Sequence, residues 1–204
     1  MQINWKKRVA KLTSNIVNPF SVSLVMIILL SFRSASSIAD ALRWLLVSIA
    51  FSILPVFSVI ILLVRNRKLE GIFIKARRQR NKIYLLASVC SAVGCVVLYY
   101  LGAPRELIAA FVAGLSAIVI FMFINLLWKI SVHTAFVTAS VTVLIILYGP
   151  IGALAAVLLP LIAWSRIELE HHSPAQAAIG ALLAALIVVV VFYLFGLLRP
   201  ITHV

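Results

Sequence analysis

Apolar residues in this chain come in long uninterrupted runs, separated by short stretches where charge, Gly and Pro are concentrated. The runs cover 16–32, 42–64, 83–101 and 106–127, then two shorter ones at 133–148 and 151–164, and a last one at 174–198. About 20 apolar residues carry a helix across a hydrocarbon core about 30 Å thick, so the first four runs and the last predict transmembrane helices. Gly149-Pro150, a strong breaker pair, splits the two short runs, which predict short, tilted or re-entrant segments. No run shows the alternation that a membrane β-strand needs. An unpaired backbone amide is costly in hydrocarbon, and the pattern therefore predicts an all-α fold, a polytopic transmembrane helix bundle of six to seven membrane segments. No soluble domain, low-complexity linker or internal repeat interrupts it, so residues 1–204 read as a single integral membrane domain.

Composition agrees: 64% of residues are hydrophobic and 11% charged, far from the usage of a soluble domain. The basic stretch Trp5-Lys6-Lys7-Arg8 resembles the start of a signal peptide, but no small-residue cleavage site follows, which predicts a retained first helix. The net charge of +13 raises nucleic acid as a partner, yet the basic residues sit in short loops without a zinc motif or aromatic platform, and no nucleic-acid binding is expected. Cys90 and Cys95 are five apart within one run and match no metal-ligand spacing, so they read as structural and no metal is expected.

Counting crossings puts the N-terminus, loop 65–82, residues 129–131 and segment 165–173 on one face. Of the 18 Lys and Arg residues only Arg33, Arg43, Arg105 and Arg199 fall on the other. The positive-inside rule then makes the basic face cytoplasmic, with the plasma membrane the simplest location. Basic loops at such a face also touch anionic membrane lipids, the reading given to Arg77, Arg78 and Arg80. Trp5, Trp44, Trp128 and Trp164 fall near helix ends as interfacial anchors.

Polar groups near embedded helix ends are costly unless paired or functional, and three clusters share the basic face: Lys75 to Lys82, Lys129-Ile-Ser131-Val-His133, and Ser165-Arg166 through His171-His172 to Gln176. They resemble, in order, the three motifs of the type 2 phosphatidic acid phosphatase superfamily. These are a Lys with Arg-Pro seven positions on, then Pro-Ser-Gly-His, then Ser-Arg, five residues, His, three residues and Asp. Lys75 stands seven before Lys82-Ile83, Ser131-Val132-His133 stands for the second motif, and Ser165-Arg166 with His172 and Gln176 stands for the third. The resemblance implies hydrolysis of a phosphate or diphosphate ester of a lipid, isoprenyl or glycerolipid, with no cofactor. By the same resemblance His172 attacks phosphorus, His133 protonates the leaving oxygen, and Lys75, Lys82, Ser131 and Arg166 hold the phosphate. The chemistry suits the residue types: a neutral imidazole is a competent nucleophile, a second can act as general acid, and a guanidinium grips two phosphate oxygens.

The chain departs from the family pattern at several positions. Lys82-Ile83 replaces Arg-Pro, Val132 replaces Gly, and Gln176 replaces the Asp that orients and charge-stabilises the nucleophilic imidazole. An amide oxygen accepts the same hydrogen bond without the charge. Glu168 or Glu170 is a possible substitute, and His171 is a rival to His172. Gln176 also has a competing role, because Ser173-Pro-Ala-Gln176 fits a capping box. A lipid-phosphate-binding relative without turnover is the second reading, and a small-molecule transporter the third.

Overall fold

The computed structural model describes residues 5–69, 71 and 77–198, with backbone alone at Arg77 and Arg78. Helices dominate, and no strand occurs among the described residues. In chain order they are α1 (Trp5–Ile16), α2 (Pro19–Ser34), α3 (Ile38–Phe51), α4 (Ile53–Arg65), α5 (Arg77–Tyr100), α6 (Arg105–Leu127), α7 (Val132–Tyr148), α8 (Pro150–Ala153), a 3-10 stretch Leu154–Val157, α9 (Leu158–Glu168) and α10 (Pro174–Leu194).

All seven apolar runs are helical, with local corrections. The run at 16–32 is broken, and helix begins already at Trp5. Asn18 caps α2, its Oδ1 accepting the N–H groups of Phe20 at 2.9 Å and Ser21 at 3.1 Å, while Pro19 takes the first helical position. The run at 42–64 is divided at Ser52, since Pro55 has no N–H to donate to the carbonyl of Phe51. The last helix stops at Leu194, short of 198, because Gly196 turns left-handed at φ +67 and lets Leu197 N–H reach Phe192 O at 2.9 Å.

Among the described residues five stretches are long and apolar enough to cross a membrane: Ile38–Arg65, Gln79–Tyr100, Arg105–Leu127, Pro150–Glu168 and Pro174–Leu194. The α1–α2 pair adds a sixth if taken together, and Val132–Tyr148 is a shorter apolar helix of 17 residues. The chain is an all-α integral membrane protein.

It packs as two compact units, Met1–Val22 with Ser131–Val204, and Ser23–Ile130. In the first, α7 and α10 lie side by side with their N-terminal ends together. Ala177, Gly180 and Ala184 form the buried stripe of small residues on α10 that permits close approach. Val137 and Val141 of α7 and Ile162 of α9 are buried together under Val17, Val22 and Leu158. At the far end of α7, Gly152 passes so close that an added Cβ would run into Leu144 O.

In the second unit, Gly94 of α5 leaves room for Phe111 and Phe51. Arg80, expected to face lipid, is instead buried: Nη2 donates to Tyr84 Oη at 2.6 Å and to Ile130 O at 3.0 Å. Tyr84 lies one turn further along α5, so its ring and hydroxyl receive the guanidinium, whose centre sits 5.5 Å from the ring centroid.

Candidate functional site

The polar residues of the first unit converge where α9 ends and α7 and α10 begin. α9 closes with a Schellman motif: His171 N–H donates to Arg166 O at 3.1 Å and Glu170 N–H to Ile167 O at 2.8 Å. The left-handed position, where α10 uses Gly196, is held here by Glu170 at φ +57. His172 N–H also reaches Arg166 O, at 3.3 Å, so the carbonyl of Arg166 gathers the strand of chain that presents the histidines.

Ser173 caps α10, and the capping box with Gln176 is complete: Gln176 N–H donates to Ser173 Oγ and Ser173 N–H to Gln176 Oε1, both at 3.3 Å. The same Oε1 lies 3.1 Å from Nδ1 of His172. The two roles expected to compete for Gln176 are therefore filled at once, by the two lone pairs of one oxygen. Because Ser173 N–H can only donate, it fixes the side-chain oxygen at this point. An acceptor there requires the His172 proton on Nδ1 and leaves the lone pair on Nε2.

α7 is tied to the same turn. Ser131 N–H donates to Gln176 O at 3.3 Å and Thr134 Oγ1 to Ala177 O at 3.1 Å, while Ser131 Oγ accepts from Thr134 N–H at 3.5 Å as the N-cap. Two helix N-termini, with their partial positive charge, thus begin side by side. Ser131, His133, Arg166 and His172 are all buried.

A fourth element, α1, secures the end of α9. Ser165 Oγ donates to Ala10 O at 2.6 Å, and Arg166 Nη1 donates to Ser14 Oγ at 2.6 Å. Lys7 Nζ pairs with Glu170 Oε1 at 3.0 Å in an exposed salt bridge. The hydrogen bond and charge of each partner hold the Glu170 carboxyl below its ordinary value and the Lys7 ammonium above its own.

The structure therefore brings Ser131, Arg166, His172 and Gln176, with His133 on the first turn of α7, to one end of one unit. Lys75 lies outside the described residues, and Lys82 is exposed on α5 in the other unit. Of the acidic alternatives, Glu170 is turned to Lys7, and it is His172, not His171, that meets Gln176. Sequence reading missed Ser14 and Thr134. The signal for Ser14 was the pair Ala10 and Ser14, small residues four apart in an otherwise basic and bulky helix. Among the described residues no group of His, Cys, Asp and Glu is arranged to hold a metal. No protein-family model matches the chain, and no curated protein or solved structure matches it either.

Proposed function

We propose that the chain is a membrane-embedded lipid phosphate phosphatase that works through a phosphohistidine, with its site at the cytoplasmic face of the plasma membrane. The observation that carries this reading is the contact of His172 Nδ1 with Gln176 Oε1 at 3.1 Å, made on the turn to which Ser131 and Thr134 anchor the helix bearing His133. An imidazole with its Nδ1 proton held has its Nε2 lone pair ready for phosphorus. His172 Nε2 forms the bond to phosphorus as the ester P–O bond breaks, and His133 gives its proton to the leaving lipid oxygen. Water then attacks phosphorus, the P–N bond breaks, and His133 takes the water proton back, releasing inorganic phosphate. Arg166 and Ser131, with the N–H groups at the starts of α7 and α10, stabilise the oxygens, whose charge grows in the transition state. The substrate is an isoprenyl or glycerolipid phosphate or diphosphate whose tail stays among the helices.

Gln176 favours a second reading, a lipid-phosphate binder without turnover. The amide keeps the tautomer right but leaves the imidazolium that develops on phosphorylation without a counter-charge. Release of inorganic phosphate from a panel of isoprenyl and glycerolipid phosphates by the purified protein separates the two. The phosphatase reading expects release that is lost in both His172→Ala and His133→Ala. Release unchanged in both variants rejects it, and tight binding with no release in wild type promotes the binder.

A further inference from the structure

α1 has two contrasting faces. One is committed to protein: Ala10 is 0% and Ser14 2% exposed, and Lys7, on the same side, is paired with Glu170. The other carries Trp5, Val9, Leu12 and Ile16, at 66%, 42%, 61% and 61% exposure. These four recur at i, i+4, i+7 and i+11, so they share one stripe, a sector roughly 60° wide at 3.6 residues per turn. Arg8 borders the stripe on one edge, with Lys11 further round the same side, and Lys6 lies on the other, all three exposed, and α1 has no acidic residue. An unpaired apolar stripe with a Trp at its end and cations along both borders is the pattern of a helix seated in the head-group layer. At 12 residues, about 18 Å long, α1 is too short to cross the hydrocarbon core on its own, and its cations oppose insertion to mid-depth.

We propose that α1 lies in the plane of the membrane surface and binds anionic phospholipid. Trp5, Val9, Leu12 and Ile16 enter the boundary between head groups and acyl chains, and Lys6, Arg8 and Lys11 take the phosphates. Charge complementarity selects the occupant: the cytoplasmic leaflet is anionic, and each basic residue close to it adds attraction. The protein-facing side fixes the helix about its axis through Ala10 O, Ser14 Oγ and Lys7 Nζ, so the stripe is presented outward before lipid is met. This surface stands whatever reaction the site performs.

The test uses the full chain with Cys90→Ser and Cys95→Ser, and a single cysteine at Leu12→Cys or Asn15→Cys carrying an environment-sensitive fluorophore. Each is reconstituted in vesicles of phosphatidylcholine alone or mixed with phosphatidylglycerol, containing lipids spin-labelled at shallow or deep acyl positions. At position 12 quenching is expected to be several-fold stronger than at position 15, greater with the shallow label than the deep one, and increased by phosphatidylglycerol. The increase should vanish in Lys6→Gln/Arg8→Gln/Lys11→Gln and in high salt. Equal quenching at 12 and 15 would overturn the seating. So would dominance of the deep label, which means a continuous span, and indifference to phosphatidylglycerol would overturn the anionic selectivity. Helix content by circular dichroism, unchanged across the set, ties the differences to α1.

Discussion

Gln176 Oε1 accepts from both His172 and Ser173, at 3.1 and 3.3 Å, so one amide oxygen orients an imidazole and caps a helix. A charged residue of the same length keeps both contacts. Gln176→Glu preserves the capping box, which uses Glu as readily as Gln, and turns the bond to His172 into a charge-assisted one, worth about 1 kcal/mol more. If the missing carboxylate limits the phosphatase, turnover rises roughly fivefold. Gln176→Leu loses both bonds, and both turnover and thermal stability fall. Phosphate release and thermal unfolding, measured side by side, separate the two effects.

What sequence could disclose here was local. Ser165-Arg166, His172 and Gln176 were legible because a helix cap and a four-residue step are set by neighbours in the chain. The contact of Arg166 with Ser14 was not, because Ser14 lies 152 residues away, and the small pair Ala10 and Ser14 marks a packing face without saying what packs on it. Arg80 was misread for a related reason. It sits in a run of cations that looks solvated or lipid-facing, and only tertiary structure supplies Tyr84 and the Ile130 carbonyl together. The division at Ser52 was present in the sequence as Pro55, but an uninterrupted apolar run masks a broken helix.

Ser14 is expected to hold Arg166 in position without touching substrate. Ser14→Ala removes one acceptor from a buried guanidinium and costs about 1–3 kcal/mol of stability. On the proposed reaction it also raises KM more than it lowers kcat, since a displaced Arg166 grips phosphate less well. Ser14→Thr keeps the hydroxyl and should restore both. Loss of stability with KM unchanged would leave Ser14 as packing alone.

Gly152 tests the packing of α8 against α7. An added Cβ runs into the carbonyl of Leu144, and backbone atoms inside a helix cannot give way cheaply. Gly152→Ala should therefore destabilise by about 2–3 kcal/mol, read as a lower midpoint of thermal unfolding. Gly114, with nothing within 4 Å of an added Cβ, is the control: Gly114→Ala should leave the midpoint unchanged or slightly higher.

The Lys7 and Glu170 pair predicts a pH window for the hold of α1 on α9. Glu170 is held below its ordinary value of 4.5, so its contribution is present above that value and disappears as pH falls through the lowered one. Lys7 is held above its ordinary 10.5, so its contribution is complete below that value and is lost as pH rises through the raised one. Both groups are exposed, so the effect is small and screened by salt. Comparing thermal unfolding of wild type and Lys7→Gln across pH should show a constant gap at neutral pH that closes in acid, below the usual carboxylate range, and shrinks in high salt. Glu170→Gly removes the same pair but also replaces a side chain at φ +57 with the residue that conformation favours, relieving about 1 kcal/mol of backbone cost. It is therefore expected to match or exceed wild-type stability while abolishing the pH-dependent gap. Glu170→Val, β-branched in the left-handed position, should be the least stable of the three.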